Sequence, residues 1–385
     1  MKKKRNIAVV IFSRANYARI KSLVLNLKKD KKIKLQIIIG ASAVLNKYGD
    51  IEKILKKDKI KPVAKIYSIV EGGSSLTMAK STALGIIELT NIFSKVKPDL
   101  VLTVADRFET ISTAIVSSYM NIPLAHTQGG EVTGSIDESV RHAITKLSHY
   151  HFPASKKSKT RLLKLGEEKK RIFLTGCPSI DLINKKNLNI DRKFIKGFQF
   201  VGSKIDFKKK YIVVLYHPNT LEYQKESART QKIINIISRL NLQTVWLWPN
   251  VDAGSEKISE RLRIFREKNM ESKIVFVKNL EPENFIKLIY NCHCFIGNSS
   301  SAIREGSFLG IPSVNIGDRQ KGREHGGNVK FVNYNENNIK NAIKNQMEKF
   351  RKIKGINIFG DGRAGKRIAK ILATIELNIN KKITY

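Results

Sequence analysis

Short β-branched apolar runs alternate with longer amphipathic stretches along the chain, and this alternation constrains the fold more than any other feature. NIAVVIF, KLQIIIGA, DLVLTVA and PLAHT read as strands in the first half. YIVVLY, TVWLWP, KIVFVK, CFIGN and PSVNIG read as strands in the second. Between them RIKSLVLNLKKD, FETISTAIVSSYM and QKIINIISRL have helical spacing. Strand–helix alternation of this kind predicts parallel sheets with helices on both faces. With 385 residues and 42% hydrophobic content, the chain can fill two cores, and the strand number suits two doubly wound domains better than one. The boundary is expected near 176–210, where TGCPSIDLI is turn-rich and a charged, weakly periodic connection follows. The expected domains are 1–178 and 179–364, with a C-terminal helix over 365–385 completing the first.

The net charge is +38, from 71 Lys+Arg against 33 Asp+Glu. A surface so basic favours anionic substrates. It does not by itself indicate nucleic-acid binding, because the lysines are spread over faces such as KKDKKIK and EEKKR without interleaved aromatics. Cys177, Cys292 and Cys294 form no CxxC pair and no even framework, so buried free thiols in a reducing cytoplasm are expected. MKKKR before NIAVVIF resembles a signal peptide only briefly, since Arg14 and Asn16 interrupt the apolar run. No stretch has the roughly 18 apolar residues that a membrane helix needs.

In open α/β sheets ligands bind at the carboxyl ends of strands, so the loops there hold the candidate residues. Arg14 in SRANY can face a phosphate at a helix N-terminus. Asp106 and Arg107 in ADRFE follow DLVLTV, where Asp106 could also serve as a helix cap. The stretch HTQGGEVTGSIDESVRHAITKLSH, residues 126–149, has two parts. Ser135 and Glu138 read as an S-x-x-E capping box before the helical spacing of Val140, Ala143, Ile144 and Leu147. Glu131 and Asp137 have no such structural explanation, and Gln128 sits among glycines that permit close approach to a ligand.

In the second half, His217 in YHPNT can transfer a proton or donate to a phosphate. Asn250, Asp252 and Ser255 in WPNVDAGS offer polar contacts. GNSSSAIREGSFLG is the strongest anion signal: Ser299, Ser300 and Ser301 open a helix, hydroxyls join free amides, and Glu305 could accept from ribose hydroxyls. Arg319 and Arg323 follow the next strand. GDGRAG, 360–365, matches G-x-G-x-x-G but lies too near the end for a βαβ unit, and reads as a turn and helix start. HExxH, paired CxxC and P-loop patterns are missing, so neither zinc nor ATP hydrolysis is indicated.

SRANY, ADRFET, GGEVTGSIDESVRHAITKLSH, HPN, WPNVDAGS, GNSSSAIREG and GDRQKGRE, in that order, resemble the UDP-N-acetylglucosamine 2-epimerase family, and more closely its hydrolysing branch. The resemblance implies a GT-B-like α/β architecture: two Rossmann-like doubly wound domains, with sugar chemistry in the first, UDP binding in the second and the site in the cleft. It implies a cytoplasmic homo-oligomer (dimer or tetramer) with no cofactor, no metal, no membrane and no specific nucleic-acid partner. The implied reaction removes the C2 proton as UDP leaves C1, then adds water at C1 and a proton at C2. The product is N-acetylmannosamine or an analogous sugar for sialic-type acid synthesis. Non-hydrolysing epimerisation and GT-B glycosyl transfer remain alternatives.

Carried over by position, Asp106 and Asp137 match catalytic places. Arg14, Arg107, His217, Asn250, Ser299, Ser300, Glu305 and Arg319 match places that bind the nucleotide sugar. Two positions depart. Ala105 replaces a usual glycine, and Gln128 stands where the sialic-acid branch has a catalytic glutamate in H-x-E-G-G-E. An amide cannot be a general base, although it can bind an acetamido group or position water. The expectation is therefore that Glu131, Asp137, Asp106 and His217 share the chemistry. In the legionaminic-type branch that position is also not a carboxylate, which keeps a UDP-2,4-diacetamido-2,4,6-trideoxyhexose in play.

Overall fold

A computed structural model describes residues 3–45, 51–104, 107–183, 187–278 and 280–384. The first half forms β1 (Arg5–Ile11), β2 (Ile33–Gly40), β3 (Ala64–Ile66), β4 (Leu100–Val104), β5 (Leu124–Thr127) and β6 (Tyr150–Phe152). The second forms β7 (Tyr211–Leu215), β8 (Gln243–Leu247), β9 (Ile274–Val277), β10 (Cys294–Gly297), β11 (Ser313–Ile316) and β12 (Val329–Val332). They make two six-stranded sheets, ordered β3-β2-β1-β4-β5-β6 and β12-β11-β10-β7-β8-β9, with all neighbouring strands parallel. Both are doubly wound, so each has a switch point: β1/β4 in the first and β7/β10 in the second.

Alternation within the strands fills a core on each face. Ile7, Val9 and Ile11 of β1 enter one cluster, while Ala8 and Val10 enter the other with Leu89 and Phe93. Strand β7 divides the same way, Ile212 and Val214 against Tyr211 and Val213. Each such large aliphatic side chain contributes about 1.5–3 kcal/mol on burial. The strands that sequence reading did not find are β3, β6 and β12. All three are sheet edges of three or four residues, each interrupted by a lysine or histidine, so no apolar run stands out.

Six helices matter below: α1 (Arg14–Lys29), α2 (Ser75–Val96), α3 (Thr110–Tyr119), α4 (Asp137–Leu147), α5 (Ser300–Leu309) and α6 (Ala364–Thr374). Ser13 caps α1 by accepting from Asn16 N. GDGRAG turns through Gly360 and Gly362, both at positive φ, and then opens α6, whose first amides donate to the Asp181 carboxylate. Helix α6 packs on α1, where a side chain at Gly365 would lie 2.2 Å from Ser22 Oγ. The helix expected over 365–385 is shorter than that. It ends at Thr374, and the following carbonyls of Glu376, Asn378 and Asn380 are taken by Tyr150 and Arg171 instead of by a further helical turn. The three cysteines are buried and free. No helix among the described residues is long and apolar enough to cross a membrane.

Candidate active site

The carboxyl ends of the two sheets face each other across one cleft, lined from the first half by Ser13, Arg14, Arg19 and Arg107 and from the second by His217, Asn250, Ser299, Ser300, Arg304, Glu305 and Arg319. Leu280, Pro282 and Phe285 form an apolar wall at one side. Cationic side chains converge here far in excess of carboxylates, as an anion site requires.

The second-half wall is built on its switch point. Gly297, the last residue of β10, has φ +133, and a Cβ there would sit 2.1 Å from Leu215 O, so only glycine lets β10 pass β7 so closely. Asn298 then spans the gap: its Oδ1 accepts from His217 N and its Nδ2 donates to His217 O, both at 2.7 Å. These two bonds fix the loop that presents the imidazole. His217 Nδ1 accepts from Asn250 N at 3.3 Å, which leaves the ring proton of the neutral form on Nε2. Burial, and then the charges of Arg319, Arg107 and Arg19, hold this histidine well below its usual range. It is therefore a neutral donor near pH 7. Ser299 caps α5 by accepting from Ser301 N, so the free amides of that helix open beside the serine hydroxyls. Arg319 Nη1 is held by Asn298 O at 3.3 Å, and Glu305 is buried in the same wall.

The first-half wall is made mostly of side-chain charge. Burial lowers Arg14 to about 10, still a cation at neutral pH, and its Nη1 reaches Leu280 O at 3.5 Å. Arg107 is buried between Glu109, 2.7 Å from its Nε, and Asp252 of the other half, 2.9 Å from its Nη1. Burial works against its charge, but the two carboxylates outweigh it and keep the guanidinium protonated. Gln128 follows β5 in the left-handed region, φ +64, an unfavourable state for a residue with a Cβ. Its amide is buried, accepting from Arg19 Nη1 at 3.5 Å and donating to Cys177 Sγ at 3.4 Å. Arg19 Nη2 continues to Ser300 Oγ at 3.0 Å, joining Gln128 to the start of α5.

Glu131 lies buried on the seam between the halves. Its Oε2 takes Arg304 Nη2 of α5 at 2.5 Å and Arg323 Nη2 at 2.8 Å. Its Oε2 is thus shared by two guanidiniums. Asp137, at the start of α4, lies 3.8 Å from Arg319 Nη2 and is more open, at 17% side-chain exposure. Gly134 N donates to Arg319 O at 3.1 Å, and a side chain at Gly134 would strike Asp318 O, so this loop also docks on the second half.

Among the candidates, the cleft therefore gathers Arg14, Arg107, His217, Asn250, Ser299, Ser300, Glu305 and Arg319; Gln128, Glu131 and Asp137 contact residues of its wall, and Asp106 lies outside the described residues. The S-x-x-E capping box is not formed. Helix α4 begins at Asp137 without a side-chain cap, and Glu138 reaches back to Thr133 N at 2.5 Å while pairing with Arg141 and His142 at 2.9 Å. The docking of Gly134 on Arg319 sets the turn, and Glu138 satisfies the amide that this turn exposes. Sequence reading missed Arg19 and Arg304. Arg19 lies five residues past Arg14 on α1, and Arg304 adjoins Glu305, so position on a helix opening at a strand end was the available signal. A larger open groove of about 960 Å³ runs along β12, but all of its lining comes from the second half.

Residues 25–373 match the family model described as UDP-N-acetylglucosamine 2-epimerase. The chain is 33% identical over 384 residues, 99% of its length and all of the relative's, to a UDP-N,N'-diacetylbacillosamine 2-epimerase (hydrolyzing) of Legionella pneumophila. It is 34% identical over 328 residues, covering 85% of this chain and 84% of the relative, to a GDP/UDP-N,N'-diacetylbacillosamine 2-epimerase (hydrolyzing) of Campylobacter jejuni. In fold it is similar to a UDP-GlcNAc 2-epimerase from Neisseria meningitidis bound to UDP-GlcNAc, with a TM-score of 0.76 at 21% identity over 95% of this chain and 99% of that one. The same holds for the Methanocaldococcus jannaschii UDP-GlcNAc 2-epimerase in complex with UDP-GlcNAc and UDP, at 0.78, 20%, 95% and 99%. The architecture is GT-B-like, as the motif series implied. Two switch points facing one arginine-lined cleft, and a family model spanning most of the sequence, lead to one assignment: the chain belongs to the UDP-N-acetylglucosamine 2-epimerase family.

Proposed function

We propose that the protein is a hydrolysing UDP-sugar 2-epimerase whose substrate is a UDP-2,4-diacetamido-2,4,6-trideoxyhexose rather than UDP-N-acetylglucosamine. The observation that carries this reading is Gln128, a buried amide held between Cys177 and Arg19, a residue of the arginine-lined cleft. A neutral amide there suits an acetamido group and cannot abstract a proton. The relatives matched over most of the chain, named for N,N'-diacetylbacillosamine, support it.

A carboxylate base takes the C2 proton. The C–H electron pair becomes the C1–C2 double bond, and the C1–O pair leaves with UDP. Water then adds at C1, and an acid returns a proton to C2 on the other face. The electron balance closes without a redox partner. Asp106 and Asp137 act as the base and acid. His217 donates from Nε2 to the departing pyrophosphate, with Arg14, Arg107, Arg319 and the α5 amides stabilising its charge. Ser299 and Ser300 bind phosphate oxygens, Glu305 accepts from the ribose hydroxyls, and Asn250 orients the imidazole. Glu131 ties Arg304 and Arg323 across the seam instead of carrying a proton. The free sugar so formed suits nonulosonic-acid synthesis, and the buried thiols suit a reducing compartment such as the cytoplasm.

The test is a product assay in D₂O with UDP-N-acetylglucosamine beside its 2,4-diacetamido-6-deoxy analogue. Free UDP and a 2-epimeric sugar with deuterium at C2 are expected, faster from the diacetamido substrate. Intact UDP-sugar epimer as the sole product would make the protein non-hydrolysing. Transfer to an acceptor without exchange at C2 would make it a glycosyltransferase.

A further inference from the structure

Residues 375–384 follow α6 as a strap without helix or strand, tied back onto the first half. Tyr150 Oη donates to Glu376 O at 2.8 Å, His149 Nε2 lies 3.0 Å from Ile379 O, and Thr384 N donates to Gly166 O at 3.0 Å. Lys381 lies between these ties. Its ammonium has three protons and three acceptors: Thr145 O at 2.9 Å, Ser148 O at 2.6 Å and Glu167 Oε2 at 2.7 Å. The two carbonyls belong to the last turn and cap of α4, where the helix dipole favours a cation. Glu167 is buried and also takes His151 Nε2 at 2.9 Å and Lys146 Nζ at 3.1 Å.

This cluster backs the stretch that holds Gln128 and Asp137. Thr145, whose carbonyl takes Lys381, sets its hydroxyl 3.4 Å from His126 Nδ1 in β5. A Cβ at Gly129 would lie 3.0 Å from that nitrogen and 3.1 Å from that hydroxyl oxygen, so the loop after β5 closes directly on the pair. His151 is the register partner of His126 in β6, and the next residue, Phe152, accepts from Gln128 N at 3.0 Å. A residue at φ +64 keeps that backbone only where its surroundings over-determine it. We propose that Lys381 is a positioning residue. It anchors the end of α4 and, with Glu167 and His151, the paired ends of β5 and β6, and so sets Asp137 and Gln128 toward the cleft. The inference rests on the reading that these two residues serve the reaction. The ammonium touches neither of them; it acts through Thr145 and Glu167. A buried carboxylate paired to an ammonium is a poor source of stability beside apolar packing, and what it supplies is direction.

Steady-state kinetics of the full chain on the diacetamido substrate test this. Lys381→Met should lower kcat by about 10- to 100-fold, the cost of misplacing a reacting group by about 1 Å. The comparison is made at a temperature where circular dichroism shows the variant fully folded. UDP affinity measured by calorimetry should be unchanged, because no residue of the strap lines the cleft. Lys381→Arg, which keeps the charge and can donate to the same acceptors, should recover most of the lost kcat. Should the methionine variant not fold, Lys381→Gln carries the same comparison. Hydrogen exchange gives a second readout: peptides over 126–137 should exchange faster in Lys381→Met, while those over β7 to β12 should not. An unchanged kcat, a loss that only follows the folded fraction, or no recovery with arginine would overturn the proposal. A wild type that turns over no UDP-sugar would instead sink the functional reading. Exchange over 126–137 would then decide by itself whether Lys381 holds Gln128 and Asp137, an unchanged rate overturning it.

Discussion

The two walls of the cleft do similar electrostatic work by different means. The second-half wall uses backbone amides at the start of α5, hydroxyls and a neutral imidazole, all fixed by bonds within their own switch point. The first-half wall uses guanidiniums and carboxylates whose partners sit in the other half: Arg107 with Asp252, Glu131 with Arg304 and Arg323, and Asp137 with Arg319. The His217 loop and the capped start of α5 are therefore held within the second half, while Ser300, Arg304 and Arg319 of the same wall also take partners from the first. The first wall acquires its arrangement only when the halves meet. Under the proposed reaction this division suits the chemistry: a leaving pyrophosphate needs donors that do not reorganise, whereas proton carriers need nearby charges that set when they hold a proton.

The strongest way to break the comparison is to replace the two carboxylates proposed to carry protons. Asp106→Asn and Asp137→Asn should each lower turnover by about 10²–10⁴-fold, while UDP binding measured by calorimetry changes little. Unchanged turnover in both would take the first wall out of the chemistry. Glu131→Gln sharpens the contrast between a tie and a base. Weakening a buried ionic cluster costs on the order of 3 kcal/mol, so a lower melting temperature and a raised KM are expected, with the shape of the pH–rate profile kept. If turnover instead collapsed with stability and UDP affinity intact, Glu131 would be a proton carrier.

Gln128→Glu should shift the ratio of kcat/KM away from the diacetamido substrate and toward UDP-N-acetylglucosamine by roughly 10-fold or more, since a site built to bond an amide discriminates by its buried polar groups. Parallel assays on both substrates read this directly, and an unmoved ratio would separate Gln128 from specificity. The smallest effect concerns pH. His217 is held well below its usual range by burial and neighbouring arginines, and His149 is brought to about 4 by burial and Lys381. A histidine depressed in the folded state binds protons more readily when unfolded, so stability is fully present above about pH 6.5 and is lost as pH falls toward 4. Thermal melts should decline by a few degrees from pH 7 to 5, and UDP affinity should stay flat from pH 8 to 6.5 because the His217 ring remains neutral. A melting temperature that rose on acidification would contradict both assignments.

The legibility of the chain in sequence followed the same division. His217, Ser299 and Ser300 could be found because each stands directly after a strong strand, where a local rule operates. The edge strands β3, β6 and β12 could not, since AKI, YHF and VKFV each place a lysine or histidine inside a very short strand and leave no apolar run to stand out. The Ser135–Glu138 cap was misread because Gly134 docks on Arg319, nearly two hundred residues away in sequence. Arg19 and Arg304 were missed for a related reason: each looks like an ordinary helix arginine until Ser300 or Glu131 is brought against it.

By itself, the sequence determined what local physics can encode. Period-two apolar runs between amphipathic stretches give two doubly wound sheets, and strand-end loops rich in glycine, serine and arginine give an anion site. The tertiary structure decided which charges meet. Ion pairs such as Glu131 with Arg304 depend on approach between the halves, and Coulomb energy falls with separation in space, which spacing along the chain does not record.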